Sequence, residues 1–124
     1  MEPVYTLSEP QVWAIAVACA MMLFDVVMGF SKAVINGKVS SSKMRVGLGH
    51  KVVLLLIIAV SIVLEAGMQH VAGLGFGGVT VTVVCAYIIA MEVASIMENA
   101  CEAYPALRDT PLMKIFAHKD GDAE

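Results

Sequence analysis

Three carboxylates interrupt segments of the chain that are otherwise apolar. Asp25, Glu65 and Glu92 each lie within a run of aliphatic residues long enough to cross a bilayer. A charge inside a bilayer is costly, so ionisable residues at such positions pair, form hydrogen bonds or face water. The chemistry open to these acids is therefore that of an ion or proton path, a pore lining, or a hydrogen bond between helices.

The apolar runs predict three transmembrane helices, over residues 12–30, 52–68 and 79–97. Asp25 lies about six residues from the end of the first span, and Glu92 about five from the end of the third, so both are roughly 8–9 Å deep on the same side. We expect the two to face the interior of a helix bundle. Glu65 lies near the opposite end of the second span, where reaching toward the nearer interface is the simpler explanation.

The third span carries one polar-tinged stripe, whose members follow each other at three or four residues: Ile88, Glu92, Ser95 and Asn99. Such a stripe needs a protein or water partner. Three isolated helices offer little cover for it, so we infer an oligomer. The candidate pore-lining or gating residues are Asp25, Glu65, Glu92, Ser95 and Asn99. At rest we expect the acids to pair with Lys32 or Lys51, or to be protonated and hydrogen-bonded across helices.

Five of the eight Lys and Arg residues lie in a connection, residues 31–51, that contains no Asp or Glu: Lys32, Lys38, Lys43, Arg45 and Lys51. Basic residues in a short connection between spans mark the cytoplasmic side, because they resist translocation. Connection 69–78 has no Lys or Arg, and the tail, residues 98–124, has the other three. The sequence thus predicts an all-α membrane protein with an outside N-terminus, a cytoplasmic basic loop and a cytoplasmic C-terminus. The five basic residues are also candidates for lipid contacts.

Composition limits the other classes of function. The 124 residues are 59% hydrophobic and 15% charged, too apolar for a small soluble core, and predict a single membrane domain over residues 1–124. The basic connection is short and not interleaved with aromatics, which argues against nucleic acid. The sequence has no nucleophile–base pair, metal-ligand cluster or C-x-x-C motif, so we expect no enzyme, cofactor or metal. Gly73, Gly75 and Gly78 spell G-x-G-x-x-G, but without a preceding strand they predict a turn.

Local signals predict where the helices begin and end. Ser8 as N-cap with Gln11 three residues later predicts the start of the first helix. Asn36-Gly37 predicts its end, and Ser40 to Ser42 offer N-caps for the second helix. Thr110-Pro111 predicts a short helix in the tail that lies on the membrane surface, with a weakly ordered tail as the alternative.

Residues 24–105 also resemble a known family. The matching positions are Asp25, Gly29, Lys32-Ala33, Gly37-Lys38, Ser41-Ser42-Lys43, Gly47-Leu48, Lys51, Glu92 to Ile96 and Glu98-Asn99. In this combination the chain resembles the phage holin family of the toxin-secretion and phage-lysis type. The glycine-rich connection, Gly73 to Gly78, and the tail depart from the family pattern.

The resemblance implies a small multi-pass protein of the bacterial host's cytoplasmic membrane. Members of the family accumulate, then assemble at a threshold into lesions that collapse the proton-motive force. An endolysin, or in related systems a toxin, then crosses, so an endolysin is the implied functional partner. Two alternatives stay open: a small transporter or channel subunit that uses Asp25 or Glu92 as a proton carrier, and a membrane anchor whose basic loop docks a cytoplasmic partner.

Overall fold

The computed structural model of the chain describes residues 5–121, with side chains over residues 5–116, so both ends of the predicted 1–124 domain lie outside it. Three long helices and two short ones follow each other: α1 (Glu9–Ile35), α2 (Ser41–Met68), α3 (Val81–Ala103), a 3-10 helix (Pro105–Asp109) and α4 (Pro111–Gly121). No strand occurs within residues 5–121. The predicted all-α architecture is confirmed.

The start of α1 is fixed by the predicted capping box. The Gln11 backbone N–H donates to Ser8 Oγ at 3.4 Å, and the Ser8 backbone N–H donates to Gln11 Oε1 at 2.8 Å. Pro10 occupies the first turn, where its missing N–H leaves no bond unmade. The reciprocal bonds satisfy two backbone donors that a helix start otherwise leaves free.

The turn between α1 and α2 is short. Asn36 ends α1, and Gly37 follows with φ of 65°, a left-handed conformation that favours glycine. Ser40 then caps α2, accepting the Lys43 backbone N–H on its Oγ at 3.3 Å. Only residues 36–40 therefore lie between the helices, and the rest of the basic connection is helical.

The opening of α3 is helical despite its alternating Val-Thr sequence. Thr80 is the N-cap, and its Oγ1 accepts the Val83 backbone N–H at 3.1 Å. Residues 69–80 form the connection before it, with Gly73 at φ of 80°. The glycines thus lie in turns, as predicted.

The three long helices are long and apolar enough to cross a membrane. They have 27, 28 and 23 residues, or about 40, 42 and 35 Å, against a hydrocarbon thickness of about 30 Å. The chain exposes 8634 Å², whereas a compact soluble protein of 13.2 kDa exposes about 6,400 Å². Many large apolar side chains lie exposed on the outside of the helices, as expected for a chain surrounded by lipid.

The core lies mainly between α1 and α3. Ala18 of α1 is fully buried, and its small side chain allows the two helices to approach closely. One face of α3 is buried along most of its length, at Val81, Cys85, Ile88, Glu92, Ile96, Ala100 and Cys101. Most of the buried residues of the three long helices therefore lie on α1 and α3.

Helix α2 is much less buried. Of its 28 residues, only Ile58 and Ser61 are buried, and large apolar residues such as Leu56 and Val63 stay more than half exposed. The middle of α2 therefore holds to the bundle through a narrow strip of contacts. Polar contacts of Lys51 and Glu65 also connect α2 to the other two long helices.

The tail is helical, as one of the two alternatives predicted. Helix α4 begins at Pro111, although the Thr110 hydroxyl donates to the Leu107 carbonyl at 2.7 Å instead of capping α4. Cys101 and Met113 approach with their sulfur atoms 3.8 Å apart, and Ile115 is 69% exposed. The tail thus folds back near the end of α3 and keeps apolar side chains on its surface.

Candidate functional site

One lysine joins carboxylates from the two other long helices. Lys51 Nζ of α2 lies 2.6 Å from Asp25 Oδ2 of α1 and 2.5 Å from Glu92 Oε2 of α3. Asn99 Nδ2 of α3 donates to the second oxygen of Asp25, Oδ1, at 3.3 Å. These four residues, Asp25, Lys51, Glu92 and Asn99, are named the Lys51 cluster. It is the point at which all three long helices meet through polar side chains.

The Lys51 cluster is nearly closed to solvent. The side chains of Asp25, Lys51 and Glu92 are 11%, 17% and 4% exposed. One cation faces two carboxylates, so when both acids are ionised the cluster carries one uncompensated negative charge. Such a charge is costly in a bilayer, and the single lysine is what makes the site tolerable.

Asp25 and Lys51 lie at equal distances along the chain from the turn of the α1–α2 hairpin. Asp25 lies ten residues before the end of α1 at Ile35, and Lys51 lies ten residues after the start of α2 at Ser41. Because the connection is short and the two helices run in opposite directions, both residues are at the same depth, about 15 Å from the hairpin turn. Glu92 reaches this depth from α3, which packs against α1.

The sequence left open which lysine pairs with the acids, and the structure selects Lys51. Lys32 instead bonds Glu102 near the end of α3, with Nζ and Oε2 2.8 Å apart and side chains 30% and 41% exposed. Glu102 was not among the predicted site residues. A signal was present, because Lys32 follows Asp25 by seven residues and Glu102 follows Glu92 by ten, about two to three helical turns toward the same end.

Glu65 lies apart from the Lys51 cluster, toward the other end of the bundle. Its Oε2 accepts the backbone N–H of Val81 at 2.6 Å. Val81 is the first residue of α3 and is fully buried, so its N–H has no partner within the helix and no access to water. Glu65 therefore ties the end of α2 to the start of α3, a contact that the sequence analysis did not predict.

The polar stripe of α3 finds its partners within the chain. Ile88 and Glu92 are buried, while Ser95 and Asn99 line a cavity that also touches Asp25 and Lys51. The stripe does not require a second copy for cover, because α1 and Lys51 already supply it. The oligomer inferred from the stripe stays a prediction. The pore-lining role of Asp25, Glu65, Glu92, Ser95 and Asn99 stays a prediction.

The other basic residues divide into two groups. Lys32, Lys38, Lys43 and Lys51 line the cavity at the basic end of the bundle, whereas Arg45 is exposed and does not. Within residues 5–116, Lys38, Lys43 and Arg45 form no ion pair. The predicted orientation, with this end cytoplasmic, stays a prediction.

Comparison with known proteins identifies the family. The sequence model of the bacteriophage holin family matches residues 6–106, a range that includes all three long helices. No curated protein and no solved structure matches the chain. The family is not one of enzymes, and together with three helices of spanning length it makes the chain a multi-pass protein of the cytoplasmic membrane. The chain belongs to the bacteriophage holin family.

Proposed function

We propose that the chain oligomerises in the bacterial cytoplasmic membrane and permeabilises it at a threshold, so that an endolysin or a toxin crosses. The Lys51 cluster is the observation that carries this proposal. A carboxylate from α1 and one from α3 share a single lysine from α2. This arrangement suits a resting monomer whose acids are shielded until the helices rearrange.

Helix α2 is the element that moves in this proposal. Only two of its residues are buried, and its polar ties are Lys51, ten residues after its start, and Glu65, three residues before its end. Lipid solvates an exposed apolar helix about as well as protein does, so little burial is lost when α2 leaves α1 and α3. The polar ties are then the main restraint on α2.

Separation of α2 removes Lys51 from Glu92 and opens the cavity that Ser95 and Asn99 line. In the assembled state these residues and Asp25 line a water-filled lesion, where hydration replaces the bond to Lys51. A conformational equilibrium shifts only when some interaction differs between the two states. Here the difference is the environment of the two carboxylates, shielded by one lysine at rest and hydrated in the assembly.

Inducible expression in bacteria, with a dye that reports membrane potential, tests the function. We expect protein to accumulate without effect and the potential then to collapse abruptly. A graded, substrate-dependent change would favour a transporter subunit, and an unchanged potential at high expression would favour a membrane anchor. Either outcome would contradict the proposal.

Asp25→Asn and Glu92→Gln test the role of the acids. Each change leaves Lys51 paired with one remaining carboxylate, which relieves the resting cluster of its excess charge and also removes an ionised group from the lesion. Both effects favour the resting state. If the equilibrium shifts toward the resting state by about 1 kcal/mol, the threshold amount of protein rises about fivefold. The membrane potential then collapses later. Glu98→Gln, at an exposed position of α3, is the matched control, and unchanged timing in both cluster variants would refute the role assigned to the acids.

A further inference from the structure

The basic end of the bundle has an open cavity beside the Lys51 cluster. Its volume is about 550 Å³, within the range of roughly 300–1,000 Å³ of small-ligand sites. Its walls come from the end of α1, the connection after it, the start of α2 and the end of α3. This space is named the basic cavity.

The charges around the basic cavity are not balanced. Lys51 is bonded to Asp25 and Glu92, and Lys32 to Glu102. Lys38 and Lys43 also line the cavity, and within residues 5–116 neither of them has a carboxylate partner. The first turn of α2 contains no acid either, so the positive end of its helix dipole adds to the two lysines. Lys38 and Lys43 are thus available for an anion, and after the excess negative charge of the Lys51 cluster is counted, one positive charge at this end is uncompensated.

Large apolar side chains also line the basic cavity. They are Val26, Phe30, Met44 and Leu48. Phe30 and Leu48 are 45% and 49% exposed. A site that combines lysines with exposed large apolar side chains matches a phosphate attached to acyl chains better than a free inorganic anion.

We propose that the basic cavity binds the headgroup of one anionic phospholipid, with its phosphate at Lys38 and Lys43 and its acyl chains along Phe30 and Leu48. Basic pockets between membrane helices bind anionic headgroups through the same combination of charge and apolar wall. The site does not depend on lesion formation. Under the predicted orientation, the lipid comes from the inner leaflet.

Binding is measured by native mass spectrometry of the full chain in a neutral detergent, titrated with short-chain phosphatidylglycerol or phosphatidylcholine. We expect one saturable phosphatidylglycerol site and much weaker phosphatidylcholine binding. Lys38→Gln with Lys43→Gln is expected to weaken phosphatidylglycerol binding at least about tenfold. Arg45→Gln is the control, because Arg45 has the same charge as Lys43 and lies on the same helix but does not line the cavity.

A second variant blocks the cavity without changing charge. Gly47 lines the cavity and Gly49 does not, while a Cβ at either position meets nothing within 4 Å. Gly47→Leu is therefore expected to weaken phosphatidylglycerol binding, and Gly49→Leu to leave it unchanged. This pair keeps the test decisive if the double lysine variant does not fold.

Three results would overturn the proposal. An equal loss of phosphatidylglycerol binding in Arg45→Gln and in the double lysine variant would mean a diffuse charge effect. Equal phosphatidylglycerol binding by Gly47→Leu and Gly49→Leu would mean that the cavity is not the site. Binding of water-soluble glycerol phosphate as tight as that of phosphatidylglycerol would mean a free-phosphate site without a lipid component.

Discussion

Replacing Lys51 with Met removes the only cation of the Lys51 cluster while keeping a long, flexible side chain at the same place. Asp25 and Glu92 then face each other without compensation, at side-chain exposures of 11% and 4%. Two carboxylates that lack a cation repel each other and are poorly hydrated. The resting arrangement of α2 against α1 and α3 is therefore destabilised, whereas a hydrated assembly is not.

The size of the effect follows from the burial. Removing one partner of a buried ion pair costs about 3–5 kcal/mol, because the remaining charge is left unpaired. Lys51 is 17% exposed, so some water reaches the site, and the lower value of about 3 kcal/mol applies. This corresponds to a change of about 100-fold in the balance between resting and assembled chains. The threshold amount of protein should fall by up to that factor, and the membrane potential should collapse soon after induction.

The assay compares the potential-dye signal with the amount of protein in the membrane fraction, measured by quantitative immunoblot at the moment of collapse. The threshold amount, and not the time alone, is the quantity predicted to fall, since a variant that is made more slowly also acts later. Lys51→Arg keeps the charge and should stay near the wild-type threshold. Arg45→Met removes a charge from an exposed position of the same helix and should do the same.

A compensating variant separates lost charge balance from general damage. Lys51→Met combined with Asp25→Asn and Glu92→Gln leaves a neutral cluster that can form hydrogen bonds, and its threshold should return toward the wild-type amount. The reasoning is refuted if Lys51→Met reaches the membrane at the wild-type level and collapses the potential at the same or a higher threshold. That result would mean that the acids stay equally shielded in the assembly.

Two further predictions concern the other end of the bundle and the orientation of the chain. Glu65→Ala leaves the buried N–H of Val81 without an acceptor, so the free energy of unfolding should fall by about 1–3 kcal/mol. A lowered thermal midpoint of the detergent-solubilised protein measures this, with Glu98→Ala as the exposed control; equal midpoints would contradict the assigned bond. For the orientation, single cysteines replace His70 or Val39 in a chain whose three native cysteines are changed to Ser. A membrane-impermeant maleimide should label position 70 in intact cells and position 39 only after permeabilisation. The reverse pattern would show that the orientation is opposite to the predicted one.

The sequence predicts the helix boundaries well where the signals are local. Ser8 and Gln11 are three residues apart, and Asn36-Gly37 is a single turn, so distant residues have little influence on either. The common depth of Asp25 and Glu92 is likewise predictable, because it depends only on the rise per residue of a helix. These are the features that one helix or one turn determines alone.

The contacts between helices were not predictable in the same way. Choosing Lys51 over Lys32 as partner requires knowing that α2 begins at Ser41 and thus brings Lys51 to the depth of Asp25. The bond from Glu65 to the Val81 N–H involves a backbone group, which sequence patterns do not reveal. The loose packing of α2 was also hidden, because a helix that is apolar on all sides gives no sign of which face meets the bundle.

The two polar ties of α2 are unlike, and the difference suggests how its release proceeds. Both ion-pair bonds of the Lys51 cluster end on one atom, Lys51 Nζ, so removing that atom from the cluster breaks both bonds and leaves both carboxylates unpaired. At the far end, the Glu65 carboxylate accepts the Val81 N–H and joins α2 to α3 across the connection 69–80. A movement of α2 away from α1 and α3 therefore breaks two ion-pair bonds at Lys51 and one hydrogen bond at Glu65. If the chain assembles as proposed, we expect the loss of the Lys51 position, and not a gradual loosening of apolar contacts, to be the step that commits it to assembly.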